Sequence, residues 1–160
     1  MSKLLDKIEE VIIVIVLAVM SIITFVNVIT RNFAQYSLSY TEEITINLFV
    51  LLTFVGAAIG VRKGAHLGFT LILDRSPLNV QRVLVVVIGF VSIIVFGIIT
   101  YFAIDMIMFQ YSIGTTTPAL RLPKWIFSLA IPIGTLLCIY RTIEATINQI
   151  KSLPTEKGEN

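Results

Sequence analysis

The sequence is poor in the side chains that build metal sites and covalent cross-links. Its 160 residues include one cysteine, Cys138, and one histidine, His66. A single cysteine excludes a disulfide within the chain, and the two residues together supply too few ligands for a zinc, haem or iron–sulfur site. We therefore expect no cofactor, no metal and no enzymatic activity, and we interpret Cys138 as a small residue that faces lipid or another helix.

Charged residues are also scarce. They make up 14% of the chain against 56% for apolar residues, and the mean hydropathy is +0.92, whereas soluble domains are about 25% charged. The basic residues are scattered between apolar runs and form no stripe of the kind that nucleic-acid binding needs. A chain of this length cannot bury so much apolar surface in its own core, so we expect lipid to cover it.

Four long apolar segments are the main positive signal. A helix needs about 20 apolar residues to cross the hydrocarbon layer, and the segments 11–29, 44–61, 83–104 and 126–140 contain no Asp, Glu, Lys, Arg or His. The fourth is short, but Trp125 extends it and Arg141 can reach back to the interface. The sequence therefore predicts an all-α integral membrane protein with four transmembrane helices. They are placed at about 4–30, 40–62, 80–111 and 123–148, in one domain over 1–150 that is followed by a polar, disordered tail at 151–160.

The distribution of Lys and Arg predicts that both termini are cytoplasmic. Nine of these residues fall in 1–10, 62–82 and 141–160, and three in 30–43 and 105–125. Short cytoplasmic loops are enriched in Lys and Arg, which places the first set inside. The first segment is not interpreted as a cleaved signal peptide, because acidic residues flank it and no small-residue cleavage site closes it.

Local signals predict where the helices begin and end. Ser39-Tyr40-Thr41-Glu42 has the pattern of a capping box at the start of the second helix. The third helix is expected to continue to about Tyr111 and to be stopped by Thr115-Thr116-Thr117-Pro118. Pro123 suits the first turn of the fourth helix, whereas Pro132 lies within that helix and should kink it.

Small residues at intervals of four indicate a close helix contact. Gly56, Gly60, Gly64 and Gly68 follow one another along the second helix and the loop after it. Such spacing lets another helix approach closely. The sequence leaves open whether that helix belongs to this chain or to another protein.

The remaining candidate residues are charged groups near the helix ends. Arg31 and the pair Glu42 and Glu43 face each other across the first hairpin, and we interpret them as structural or partner-contacting, not catalytic. At the opposite end, Arg62, Lys63 and His66 form a cluster suited to lipid headgroups at the cytoplasmic interface. Asp105 could relay protons only if it were buried.

The absence of a charge at mid-membrane favours a scaffold over a transport path. Transporters that act alone generally place ionisable residues or broken helices there. The alternative is a self-sufficient small four-helix transporter acting as a homo-oligomer, and a membrane enzyme or electron carrier is a third class. Reconstituted uptake separates the first two, and the scarcity of metal ligands disfavours the third.

Six short elements between residues 27 and 134 form a recognisable series. They are Asn27-Val28-x-x-Arg31-Asn32-Phe33, Ser39-Tyr40-Thr41-Glu42-Glu43, Phe54-Val55-Gly56-Ala57-Ala58, Val61-Arg62-Lys63-Gly64-Ala65-His66-Leu67, Thr117-Pro118-Ala119-Leu120-Arg121-Leu122-Pro123-Lys124-Trp125 and Ile131-Pro132-Ile133-Gly134. In this order, on a chain of four spans, they resemble the small membrane subunit (Q subunit, DctQ-type) of tripartite ATP-independent periplasmic (TRAP) transporters. Tyr40 stands where that family often has Trp.

The resemblance implies a sodium-coupled transporter for organic anions in the bacterial inner membrane. A periplasmic substrate-binding protein would deliver the anion, such as a C4-dicarboxylate or sialic acid, to a large multi-span subunit. The small subunit would pack against the scaffold of that large subunit, brace it among the membrane lipids and help to dock the binding protein. Gly56, Gly60, Gly64, Arg31, Glu42 and Glu43 are its expected partner contacts.

Overall fold

The structure, a computed structural model, describes residues 2–34, 39–63 and 77–152. These residues form five helices: α1 (Ser2–Ala34), α2 (Ser39–Arg62), α3 (Leu78–Ser112), α4 (Lys124–Ser128) and α5 (Ala130–Ser152). Because α4 and α5 follow each other directly, they make one span. Four stretches are long and apolar enough to cross a membrane, namely Leu5–Phe33, Ser39–Arg62, Val80–Ser112 and Lys124–Ser152. The prediction of an all-α protein with four transmembrane helices is confirmed.

The helix limits differ from the predicted ones in three places. α1 begins at Ser2 and continues to Ala34, so it is longer at both ends. α2 begins at Ser39 itself, whereas a capping box would place Ser39 just outside the helix. The last helix reaches Ser152, so the predicted start of the tail at 151 falls inside it, and the rest of that tail lies outside the described residues.

The longest helix, α3, ends with a C-terminal glycine cap. Its 35 residues correspond to about 52 Å, more than a perpendicular span requires. Gly114 has a positive φ of 63°. Its amide donates to the Tyr111 carbonyl at 3.3 Å, and the Thr115 amide donates to the Gln110 carbonyl at 3.2 Å. This is a Schellman motif, so Gly114 stops the helix and the prediction that the Thr-Pro sequence does so was wrong.

The fourth span is interrupted one turn before its internal proline. α4 ends at Ser128, and Leu129 connects it to α5 with φ −59° and ψ −24°. Pro132 has no amide hydrogen, so the Ser128 carbonyl, four residues earlier, cannot accept the usual helical hydrogen bond, and the proline ring crowds it. The irregularity expected from Pro132 therefore falls at Leu129.

The four spans pack as an open row. α1 packs against α2, α2 against α5, and α5 against α3. Extensive packing between α1 and α3, which would close the row into a bundle, is not found in the described part of the chain. Within the apolar stretches, 33% of the residues of the last span are buried, against 6% for the first. α5 is thus the central packing element, and most of the surface of α1 and α3 is left to lipid or to a partner.

Close contact between α5 and α2 depends on small residues. Gly134 and Cys138 lie buried on one face of α5 at an interval of four, and Thr142 continues the series. A Cβ atom at Gly134 would collide with the side chain of Phe54 on α2. The Cys138 thiol donates to the Phe54 carbonyl at 3.5 Å, so Cys138 faces a helix and not lipid.

Polar side chains connect α3 to the last span inside the row. The hydroxyls of Thr100 and Thr135 lie 2.7 Å apart in a buried hydrogen bond between α3 and α5. Nearer the end of α3, the Ser128 hydroxyl donates to the Gln110 side-chain oxygen at 2.8 Å. In lipid such bonds contribute about 1 kcal/mol each, and they fix the register of the two helices.

Candidate functional site

A buried arginine joins α5 to the beginning of α1. The side chain of Arg141 on α5 is 0% exposed. Its guanidinium donates to Glu9 at 2.7 Å, to Asp6 at 2.8 Å and to Glu144 at 2.6 Å. The sequence indicated that Arg141 can reach back to the interface; it did not indicate that carboxylates of α1 and α5 enclose this side chain.

A second arginine, on α2, completes this ion-pair cluster. Arg62 contacts Asp6 at 2.8 Å, Glu9 at 3.4 Å and Glu10 at 2.8 Å. Asp6 and Glu9 thus bridge both guanidinium groups and link α1 to α2 and α5. Removing a charge from water is costly, and close pairing with several hydrogen bonds is what offsets that cost. The cluster is therefore a connection between helices whose members depend on one another.

The cluster shows no arrangement suited to catalysis or metal binding. Its carboxylates are directed at the two arginines, and a cavity of about 160 Å³ lies beside Arg62, Arg141 and Asn148. No group of His, Cys, Asp or Glu within the described ranges is placed to hold a metal ion. The cluster therefore joins the helices by ion pairs.

At the opposite end, Glu43 attaches α2 to the loop between α3 and α4. Its carboxylate accepts a hydrogen bond from the Ala119 amide at 2.8 Å. The loop is closed by backbone bonds from Thr117 to Leu122 at 2.8 Å and from Lys124 to Thr115 at 3.0 Å. Glu43 therefore attaches this hydrogen-bonded loop to α2, whereas the neighbouring Glu42 is exposed.

Arg31 and Glu42 line a cavity of about 410 Å³ between α1 and α2. The sequence suggested an ion pair across this hairpin. No ion pair between described residues joins Arg31 to Glu42 or Glu43. Arg31 and Glu42 instead lie on the walls of the cavity without pairing with each other.

Only part of the glycine series on α2 lies within the described residues. No described atom lies within 4 Å of the Cβ position of Gly56, and Gly60 is half-buried. Gly64, Gly68 and His66 lie outside the described residues. The surface around Gly56 is therefore not used for packing within the described chain.

The other predicted residues lie at helix ends or on the surface. Lys63, directly after α2, is exposed. Asp105 on α3 is also exposed, so it lacks the burial that a proton relay would need. Pro123 immediately precedes α4 with φ −59°. The ring of Trp125 meets that of Tyr111 edge to face, with centroids 5.9 Å apart. These rings suit a membrane interface, where aromatic side chains concentrate.

Fold and sites together define a class: an all-helical, multi-pass membrane protein whose spans are held together by ion pairs and by small-residue contacts. The family described as "Tripartite ATP-independent periplasmic transporters, DctQ component" matches residues 20–152. The chain belongs to this family. It is a small membrane subunit of the TRAP type in the bacterial inner membrane, and this family is not a class of enzymes.

Three relatives show the range of the family. The ectoine TRAP transporter small permease protein TeaB of Halomonas elongata is 28% identical and covers 94% of this chain and 78% of its own length. The C4-dicarboxylate TRAP transporter small permease protein DctQ of Rhodobacter capsulatus is 27% identical, and the match covers 90% of this chain and 77% of that protein. The isethionate TRAP transporter permease protein DctMQ of Oleidesulfovibrio alaskensis is 21% identical over 70% of this chain, which is matched to 18% of that protein.

Sequence reasoning missed the ion-pair cluster. Asp6, Glu9 and Glu10 stand at intervals of three and four, which places them on one helix face, and that spacing was a usable signal. Their partners Arg62 and Arg141 lie 53 and 132 residues from Glu9. No pattern along the chain indicates that these helix ends meet.

Proposed function

We propose that this chain is the non-catalytic subunit that packs against the large multi-span subunit of a sodium-coupled TRAP transporter and braces it in the bilayer. The observation that carries the proposal is the open row, in which the described residues leave most of the surface of α1 and α3 and one face of α2 uncovered. The length of DctMQ, of which this chain matches 18%, is consistent with a small and a large part joined in one polypeptide.

The contact surface is assigned to the exposed face of α2. Ile46, Phe49, Thr53 and Ala57 are exposed at helical intervals, and Gly56 lies beside them with open space at its Cβ position. A helix of the large subunit can approach the backbone closely there. Gly60 continues this surface towards the cytoplasm, and Gly64, four residues further along the sequence, is assigned to the same contact by its spacing.

Orientation and the remaining charged residues complete the proposal. Both termini lie in the cytoplasm, so Lys63 and His66 meet lipid headgroups there. The loop held by Glu43 then faces the periplasm, where the exposed Arg121 and Lys124 help to dock the substrate-binding protein.

The transported solute is an organic anion such as a C4-dicarboxylate or sialic acid. In this assignment the other subunits bind it. TeaB and DctQ, named for ectoine and for C4-dicarboxylates, resemble this chain to nearly the same degree, 28% and 27% identity. This is consistent with a small subunit that does not select the substrate.

Co-purification of the two membrane subunits tests the packing surface. We expect Gly56→Leu to reduce recovery of the large subunit several-fold, because the new side chain fills the groove, and to leave the thermal unfolding of the isolated chain unchanged. Gly97→Leu on α3 is the matched control, since its Cβ position is equally open. Full recovery with Gly56→Leu, or loss only with Gly97→Leu, contradicts the assignment.

Reconstitution separates the bracing role from the alternative of a self-sufficient transporter. The chain alone in vesicles with an inward sodium gradient should give no uptake of labelled solute above empty vesicles, whereas the complete three-component system should transport. Uptake by the isolated chain would show that the subunit itself carries the transport path.

A further inference from the structure

The cavity between α1 and α2 has a polar part at the end of the helices. Besides Arg31 and Glu42, its walls include Asn27, Thr24 and Thr45. Its volume of about 410 Å³ falls in the range of cavities that hold small molecules, about 300–1,000 Å³. The cavity is therefore large enough for a ligand with several polar groups.

Opposite charges line this cavity without pairing with each other. In the described part of the chain Arg31 makes no ion pair, and neither does Glu42. A guanidinium binds phosphate well, with several donors in a planar fork. A carboxylate accepts hydrogen bonds from an ammonium group. A ligand that carries one phosphate and one ammonium group is complementary to both walls.

An open apolar groove on the surface of α1 adjoins the polar cavity. It has a volume of about 490 Å³, all of its lining residues belong to α1, including Leu17, Met20 and Phe25, and it shares Thr24 and Val28 with the polar cavity. The two spaces are therefore adjacent. A soluble ligand would leave the apolar part unfilled, whereas a hydrocarbon chain matches it.

The length of the combined groove matches one leaflet of a bilayer. From Leu17 to Arg31 there are fourteen helical steps of about 1.5 Å, or about 21 Å. Half of a bilayer of about 40–45 Å including headgroups is about 20–22 Å. Arg31 therefore lies at headgroup depth when Leu17 lies near the membrane centre.

We propose that this groove binds a phospholipid with a zwitterionic phosphoethanolamine headgroup. The phosphate contacts Arg31, the ammonium group contacts Glu42, and an acyl chain follows the groove towards Leu17. An anionic lipid lacks the cation for Glu42 and is repelled by it. The site therefore distinguishes headgroups by charge, and it depends only on the membrane location of the chain.

Native mass spectrometry of the complex in nanodiscs tests the site. The nanodiscs contain equal amounts of phosphatidylethanolamine and phosphatidylglycerol. We expect the wild-type complex to retain phosphatidylethanolamine several-fold over phosphatidylglycerol. Arg31→Gln should lose the retained lipid, and Glu42→Gln should bind the two lipids equally. Lys151→Gln, which removes an exposed basic residue outside the groove, is the control and should behave as wild type.

Three results would overturn the proposal. Retention in the proportions of the nanodisc, or unchanged retention in Arg31→Gln, shows that no headgroup site exists. Displacement of the lipid by soluble glycerophosphoethanolamine shows a headgroup site without the acyl groove. Lipid retained by the isolated chain but absent from the complex shows that a helix of the partner fills the groove instead.

Discussion

α5 and α2 both carry small residues at intervals of four, but the structure uses them differently. On α5, Gly134, Cys138 and Thr142 are buried, and Gly134 lies directly against α2. On α2, the Cβ position of Gly56 faces open space. Equal spacing therefore shows only that close approach is possible. Which helix is approached, and by what, depends on the position of each face in the row.

Changes on the buried side of α5 should affect the isolated chain most, and Arg141→Met should have the largest effect. Met keeps much of the volume of the side chain but removes the charge that pairs with Glu9 and Glu144. Breaking a buried ion pair in this way costs about 3–5 kcal/mol. Thermal unfolding of the purified chain in detergent measures it.

Two further variants control for this change. Arg121→Met removes an exposed arginine and should leave unfolding unchanged. Arg141→Lys keeps the charge but lacks the planar guanidinium that reaches several carboxylates. Its unfolding temperature should therefore lie between those of the wild type and Arg141→Met. If Arg141→Met unfolds at the wild-type temperature, the cluster does not stabilise the chain.

Gly134→Ala should have the second-largest effect on unfolding, because the added carbon collides with Phe54. Crowding of this kind costs about 1–3 kcal/mol. Gly97→Ala adds the same carbon where no described atom lies within 4 Å, so it should be neutral. Thermal unfolding of the purified chain measures both variants. Equal unfolding temperatures would show that the buried and the open glycine tolerate a side chain equally well.

The smallest effect is expected at the start of α2. Glu43→Ala removes the acceptor of the Ala119 amide, so hydrogen exchange of that amide should become about tenfold faster while global unfolding hardly changes. Glu42→Ala removes a neighbouring, exposed carboxylate and should leave the exchange rate unchanged. Equal exchange in both variants would show that Glu43 does not hold the loop.

The spans could be predicted from the sequence because long apolar runs without charges have few structural solutions. The break near Pro132 followed from the missing amide of proline. The end of α3 was also encoded locally, by Gly114, but the Thr-Pro sequence just beyond it was a more conspicuous stop signal.

The packing order could not be predicted. Four apolar helices can neighbour one another in several ways, and periodicity fixes a face but not the helix that it meets. For this reason the close contact at Gly134 was not predicted, and the contact expected at Gly56 stays a prediction about another protein. For the same reason the burial of Arg141 was not predicted, because it depends on carboxylates near the other end of the chain.

The ion-pair cluster also has a consequence for biosynthesis. Glu9 leaves the ribosome 132 residues before Arg141, a delay of roughly 7–26 s at about 5–20 residues per second. Arg62 emerges earlier, so the first hairpin can pair its charges before the last span is inserted. Arg141 is the later of the two arginines to be made, so the cluster can form all of its ion pairs only after the last span has been synthesised.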